Sequence, residues 1–139
     1  MSDKNKALMR RVYEEVYTRG KLDAVDELTS SDFVLNRGGQ SISGREPIKA
    51  YVSALRQGFP DLQITIKEQV AEGDRVVTRW NASGTHQGAF QGIPPTGRRF
   101  TIRGIDINRV VGDKAVECWT VMDELSLLQQ LGLAPAPAQ

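Results

Sequence analysis

The hydrophobic pattern of this chain changes period once, at Leu62, and that change limits the possible folds more than any other feature. Before it, apolar residues recur at helical spacing. Leu8, Met9, Val12, Tyr13, Val16 and Tyr17 fall on one broad stripe of a helix over 4–19, which Gly20 would stop. A short second helix is expected in "KLDAVDEL", and a brief strand in "DFVLN" ahead of the "RGGQ" turn. Residues 43–58 predict a third helix. Ser43 and Glu46 stand at capping-box spacing, Pro47 falls in the first turn where its missing N–H costs nothing, and Gly58 closes the segment. Its buried face is Ile48, Tyr51, Val52, Leu55 and Phe59.

From Leu62 the pattern alternates with period two, predicting strands near 62–71, 74–86, 99–111 and 115–125. Helices first and antiparallel strands afterwards predict an α+β domain in which a curved sheet wraps two to three N-terminal helices, and argue against a parallel βαβ sheet. Six of the 13 glycines (Gly84, Gly88, Gly92, Gly97, Gly104, Gly112) lie between 84 and 112, where they would serve turns, bulges or strand curvature. A curved sheet of this kind encloses a cavity. At 139 residues and 40% hydrophobic, the chain suits a single domain that buries its core without disulfides. The Ala-Pro tail, 134–139, is expected to be disordered.

Charge and cysteine usage narrow the function. Eighteen Lys and Arg against 17 Asp and Glu leave a formal charge of +1 with no run of like charges, so neither nucleic acid nor a membrane surface is an expected partner. No apolar stretch approaches the roughly 20 residues of a membrane helix. Cys118 is the only cysteine, and the first residues lack the apolar run of a signal peptide, so the expected location is cytoplasmic. One histidine and one distant cysteine are thin provision for a zinc site. There is no G-x-S-x-G elbow, phosphate-binding glycine loop or dinucleotide fingerprint. Neither a metal nor a cofactor is expected.

Three stretches carry a resemblance. "GTHQGAFQGIPPTGRRF", "RGIDINR" and "VECWTVMDELSLLQQLG" resemble the SnoaL-like polyketide cyclases, also called predicted ester cyclases, of the NTF2-like superfamily, over roughly residues 5 to 133. The resemblance implies a cone-shaped α+β barrel with an apolar pocket between the concave sheet and the helices, in a homodimer packed through the sheet's outer face. The cyclases it resembles close a polyketide methyl ester by an intramolecular aldol reaction, without metal or cofactor, using one pocket aspartate as acid and base. The matching residue here is Asp123, a few positions beyond Trp119 in the last strand. The fold also hosts isomerases, dehydratases, epoxide hydrolases and non-catalytic binders.

Alternation places Val76, Thr78, Trp80, Ala82, Gly84 and His86 on one face of the second long strand, taken as concave. On the last strand, Glu117, Trp119, Val121 and Asp123 oppose Val116, Cys118, Thr120 and Met122, and hydrophobicity does not say which set is inward. A two-residue Gly112-Asp113 turn would pair Asp106 with Trp119, while a three-residue turn shifts that register by one. On the resemblance, Asp123 is expected inward in either register, as a desolvated carboxylate able to take a C–H proton. The alternative is an N-cap for the short helix "ELSLLQQLG". His86 could hydrogen-bond a developing enolate, or it could hold the loop that follows by bonds to its backbone. Asp106 is a secondary candidate for the acid, and reads first as a solvated or hydrogen-bonded strand residue. Trp80, Trp119, Tyr51, Phe59 and Phe90 are expected in the core or the pocket wall, suited to a hydrophobic small molecule. "GIPPTG" would form a stiff flap over one end of the cone, with Arg98 and Arg99 at its rim.

The function that the resemblance implies for these residues is a cofactor-independent cyclase or isomerase acting on a hydrophobic carbonyl compound, with Asp123 removing a proton and His86 assisting. Two alternatives remain: a non-catalytic ligand-binding domain, and an epoxide hydrolase using Asp106 with Asp123.

Overall fold

The computed structural model describes residues 2–135. The expected tail disorder over 136–139 lies outside the described residues. The chain opens with α1 (Ser2–Arg11), which continues as a π-helical segment (Val12–Thr18) and stops at Gly20, whose φ of 68° only glycine adopts freely. There follow α2 (Asp23–Leu28), β1 (Thr29–Arg37), β2 (Gln40–Ser43) and α3 (Arg45–Gly58). The second half is β3 (Gln63–Glu72), β4 (Arg75–Thr85), β5 (Arg99–Val111), β6 (Lys114–Met122) and the short α4 (Glu124–Gln130). The period change at Leu62 is therefore the boundary between the helical half and the long strands.

One six-stranded sheet has the order β2-β1-β6-β5-β4-β3. Its long strands pair antiparallel as the alternation predicts, but β1 joins β6 in parallel. This mixed pairing is a correction to a purely antiparallel sheet: β1 returns from the helical half to cover the otherwise open edge of β6. The capping box over Ser43 and Glu46 does not form either. Ser43 is taken up in pairing with Val34, and the helix starts after Gly44 (φ 93°) with no side-chain cap.

The core lies between the helices and one face of the sheet. In β4 the buried set is Val76, Thr78, Trp80 and Ala82, continued by His86 just beyond the strand. In β5 it is Phe100, Ile102, Asp106, Asn108 and Val110, with Gly104 among them. Gly104 has a packing reason to lack a side chain: a Cβ there would stand 2.3 Å from Cζ2 of Trp80, its partner across the strands. Against this face pack Met9, Val12, Tyr13 and Val16 from the first helix, and Ile48 and Val52 from α3.

The β5–β6 hairpin resolves the register. Gly112 and Asp113 have φ of 56° and 65°, and Val111 pairs with Lys114, so the turn has two residues. Val110 then pairs with Ala115 but Arg109 with Glu117, so Val116 is an extra residue that slips the register by one. Asp106 consequently faces Thr120, not Trp119. Beyond this bulge Cys118, Thr120 and Met122 point inward, and Glu117, Trp119 and Val121 outward.

Candidate active site

Between the sheet and the helices lies an apolar cavity of about 110 Å³. The first helix contributes Met9, Val12, Tyr13 and Tyr17, α3 contributes Tyr51 and Leu55, and the sheet contributes Trp80, Ile102, Asp106, Asn108, Cys118 and Thr120. Arg37, Phe90, Met122 and Leu127 are half-buried and form its rim. Among the described residues lining it, Asp106 is the one carboxyl and Arg37 the one guanidinium, with no lysine or histidine.

Asp106 sits on the inward face of β5 because of strict alternation, and it is only 7% exposed. The Tyr13 hydroxyl donates to its Oδ2 at 2.7 Å, and Asn108 Nδ2 in turn donates to the Tyr13 oxygen at 3.3 Å. Oδ1 is buried with no hydrogen-bond partner among the described residues. Burial raises the carboxyl above the usual aspartate range, opposed by the nearby Thr120 hydroxyl, the Tyr13 phenol and the Trp80 indole. Of these three, Tyr13 alone makes a hydrogen bond of good geometry, and Trp80 Nε1 is itself unpartnered. Burial also pushes the Tyr13 phenol well up, with the Asp106 charge adding to it, so Tyr13 stays a proton donor. Burial raises the Cys118 thiol in the same way, which keeps it a small apolar wall group rather than a thiolate.

One oxygen of Asp106 is thus fixed by a donor while the other is buried without a hydrogen-bond partner among the described residues. A carboxylate so placed can accept a proton from a bound molecule and, protonated, return it. The pair Asp106–Tyr13 was not visible as a pair in the sequence, where Tyr13 reads only as one member of a helical stripe.

Asp123, the expected inward acid, is exposed and does not line the cavity. The register slip at Val116 puts its strand face outward, and β6 ends one residue before it. It occupies the N-cap position of α4, yet its side chain makes no capping bond there; its carbonyl accepts from the Leu127 amide at 3.1 Å. The two acids do not converge, so the arrangement an epoxide hydrolase would need, a water held between Asp106 and Asp123, is absent.

His86 is buried but does not line the cavity. Its Nδ1 accepts from the Thr96 amide at 3.2 Å and lies 3.1 Å from the Thr96 hydroxyl. Its backbone N–H donates to Arg98 and its carbonyl accepts from Gly97, both at 2.9 Å. These bonds close the base of the loop 87–98. Its Nε2 is buried with no hydrogen-bond partner among the described residues, and its ring centroid lies 5.4 Å from that of Phe59, which lines the cavity. The loop is pinned again where the Gln87 and Gly88 amides donate to the Gly58 carbonyl. A Cβ on Gly88 would lie 2.0 Å from the Gln57 oxygen, so this close approach needs glycine. Phe90 caps the cavity from a tight turn at Gln91-Gly92, its ring 5.2 Å from Phe59.

Of the expected aromatic walls, Trp80, Tyr51, Phe59 and Phe90 line the cavity. Trp119 does not: it is on the outer face, with the Arg75 guanidinium 5.1 Å from its ring centroid. Among the described residues there is no group of three or more His, Cys, Asp or Glu that could hold a metal, and no helix is long and apolar enough to cross a membrane.

The family model for SnoaL-like polyketide cyclase matches residues 7–131. The aklanonic acid methyl ester cyclase DnrD of Streptomyces peucetius is 32% identical over 130 residues, covering 90% of this chain and 88% of that one. Among solved structures, AclR of Streptomyces galilaeus, named as a candidate hydroxylase, superposes with a TM-score of 0.86 at 32% identity, covering 97% of this chain and all of that one (100%). A SnoaL-like cyclase candidate from Jannaschia sp. CCS1 reaches 0.88 at 23% identity over 96% and 95% of the two chains, a likeness of fold alone. The fold is that of the NTF2-like and ketosteroid isomerase-like proteins.

Proposed function

This chain belongs to the SnoaL-like polyketide cyclase family, and from that premise we propose that it catalyses a cofactor-independent intramolecular aldol closure of a hydrophobic carbonyl compound, with Asp106 as acid and base. The observation that carries the proposal is the buried carboxylate in an apolar cavity, one oxygen held by Tyr13 and the other free.

The step balances without an external reactant. Asp106 Oδ1 accepts the proton of an acidic C–H, and the electron pair stays on the substrate as an enolate. The enolate carbon bonds to a second carbonyl carbon, whose π pair moves onto oxygen. That alkoxide takes the proton back from Asp106, so the product is an isomer of the substrate and the carboxylate is restored. Holding both carbonyls in one dry pocket supplies orientation as well as proton transfer. At about 110 Å³ the cavity is smaller than the roughly 150 Å³ that holds one benzene ring. A fused-ring substrate enters by displacing the rim side chains Phe90 and Leu127.

DnrD is named a methyl ester cyclase, which supports cyclisation over the binding-domain alternative. A cytoplasmic homodimer acting on a small molecule, rather than on nucleic acid or membrane, completes the proposal. The exposed Ile105, Ile107 and Val121 on the outer face of the sheet support the dimer.

The test uses 1-phenylbutane-1,3-dione, whose central C–H exchanges with D2O through its enolate. The wild type should accelerate that exchange, Asp106→Asn should lose about 100-fold or more of the acceleration, and Asp123→Asn should retain it. Full activity in Asp106→Asn, or loss that follows Asp123, would overturn the assignment.

A further inference from the structure

Arg37 ends β1 on the same face as the buried Phe33 and Leu35, and it is one of the residues that line the cavity. Its Cα partner on β6 is Thr120, and Thr120 is also the partner of Asp106 on β5. Arg37 and Asp106 therefore stand in one row across three adjacent strands, with one threonine between them, about 10 Å apart at Cα for two strand spacings. At that distance they make no ion pair. Arg37 Nη2 instead binds Glu124 Oε1 at 2.5 Å, and its Cζ lies 5.7 Å from the centroid of the Tyr51 ring. The third part of the fork is unused: Nε is buried and has no hydrogen-bond partner among the described residues.

A buried cationic N–H left without an acceptor costs stability. Glu124 is half exposed and neutralises one end of the guanidinium without covering the other. Asp106 and Arg37 thus divide the cavity into an acidic end and a donor end.

We propose that Arg37 is a substrate-contact residue, whose Nε–H binds the oxygen on which negative charge develops when Asp106 removes the proton. The ligand class is a compound with a carbonyl, enolate or carboxylate oxygen a few bonds from its acidic carbon, the oxygen held at the β1 end of the cavity. The inference rests on the reading of the cavity as a carbonyl site. It explains why the cavity needs only one acid: the enolate formed at Asp106 is met by a fixed cation one strand beyond Thr120, in surroundings where such a donor acts more strongly than in water.

The test measures binding, not turnover, with 4-nitrophenolate as a one-ring enolate analogue and toluene as its neutral counterpart. It is made in the Asp106→Asn background, where no carboxylate repels the anion. There, adding Arg37→Met should weaken 4-nitrophenolate about ten- to a hundred-fold and leave toluene binding unchanged. Adding Glu124→Gln instead frees the guanidinium from its only carboxylate and should tighten 4-nitrophenolate. If Arg37→Met loses both probes through misfolding, the Glu124→Gln result decides. Equal 4-nitrophenolate affinity with and without Arg37, or no tightening in Glu124→Gln, would overturn the role of Arg37. Because these variants lack the acid, that outcome is separate from failure of the exchange test, which would overturn Asp106 as base and leave the Arg37 result standing.

Discussion

Tyr13 and Asp106, 93 residues apart in sequence, are joined by a 2.7 Å hydrogen bond in the wall of the cavity. The bond favours the carboxylate and so restrains the upward shift that burial imposes on Asp106. Tyr13→Phe should therefore move the Asp106 titration further up, and any enolisation that needs the carboxylate should begin at higher pH. The carboxyl carbon signal in NMR, followed through pH, reads this directly; an unchanged titration would mean that Tyr13 does not control the acid.

The same raised pKa has a consequence for stability. A carboxyl whose native pKa lies above its unfolded value contributes stability that is complete below the unfolded pKa, about 3.9 for aspartate. That contribution is lost as pH rises through the native pKa. The wild type should accordingly lose stability relative to Asp106→Asn as pH rises from about 3.9 through the native pKa. Urea unfolding of both proteins at several pH values checks the sign. A wild type that gains on the variant as pH rises would show Asp106 to be better stabilised as an anion in the native state.

His86 is assigned to the loop and not to the chemistry, because its Nδ1 is occupied by Thr96 and it does not line the cavity. His86→Phe should cost about 1 kcal/mol through the lost bond and make the loop 87–98 easier to cleave by protease. It should leave exchange of the diketone close to the wild-type rate. A fall of two or more orders of magnitude in that rate would return His86 to the site.

The outer face of the sheet leads to a prediction about assembly. Ile105 is 50% and Val121 76% exposed, and the two are partners across β5 and β6. A contiguous apolar surface of this kind suits a second copy of the chain. Sedimentation equilibrium should give a dimer for the wild type and a monomer for Ile105→Glu with Val121→Glu. A monomeric wild type would remove the dimer.

Much of the fold was legible in the sequence because its signals are periodic. The change at Leu62, the strand 99–111 and the inward set of β4 all follow from side-chain spacing. The site was less legible, for physical reasons. In "GIDIN" the pattern is inverted: Asp106 and Asn108 face inward while Ile105 and Ile107 face out. A polar residue inside and an apolar one outside is what a functional cavity and a sticky outer face require, and it defeats a rule based on hydrophobicity. The two-residue turn at Gly112-Asp113 was recognisable from its residue types. The extra residue at Val116 was not, since no glycine marks it, and that single slip decides between Asp106 and Asp123. Arg37 was hidden for another reason: only the parallel pairing of β1 with β6 brings it beside Thr120.

The account depends most on Asp106 being a desolvated carboxyl inside the cavity. The measurement that tests this most directly is the pH titration of its carboxyl carbon by NMR, with Asp106→Asn to assign the signal. The account predicts a midpoint clearly above the ordinary aspartate value of about 3.9. A midpoint at or below that value would mean a well-solvated or strongly hydrogen-bonded carboxylate, and would contradict Asp106 as the acid and base of the site.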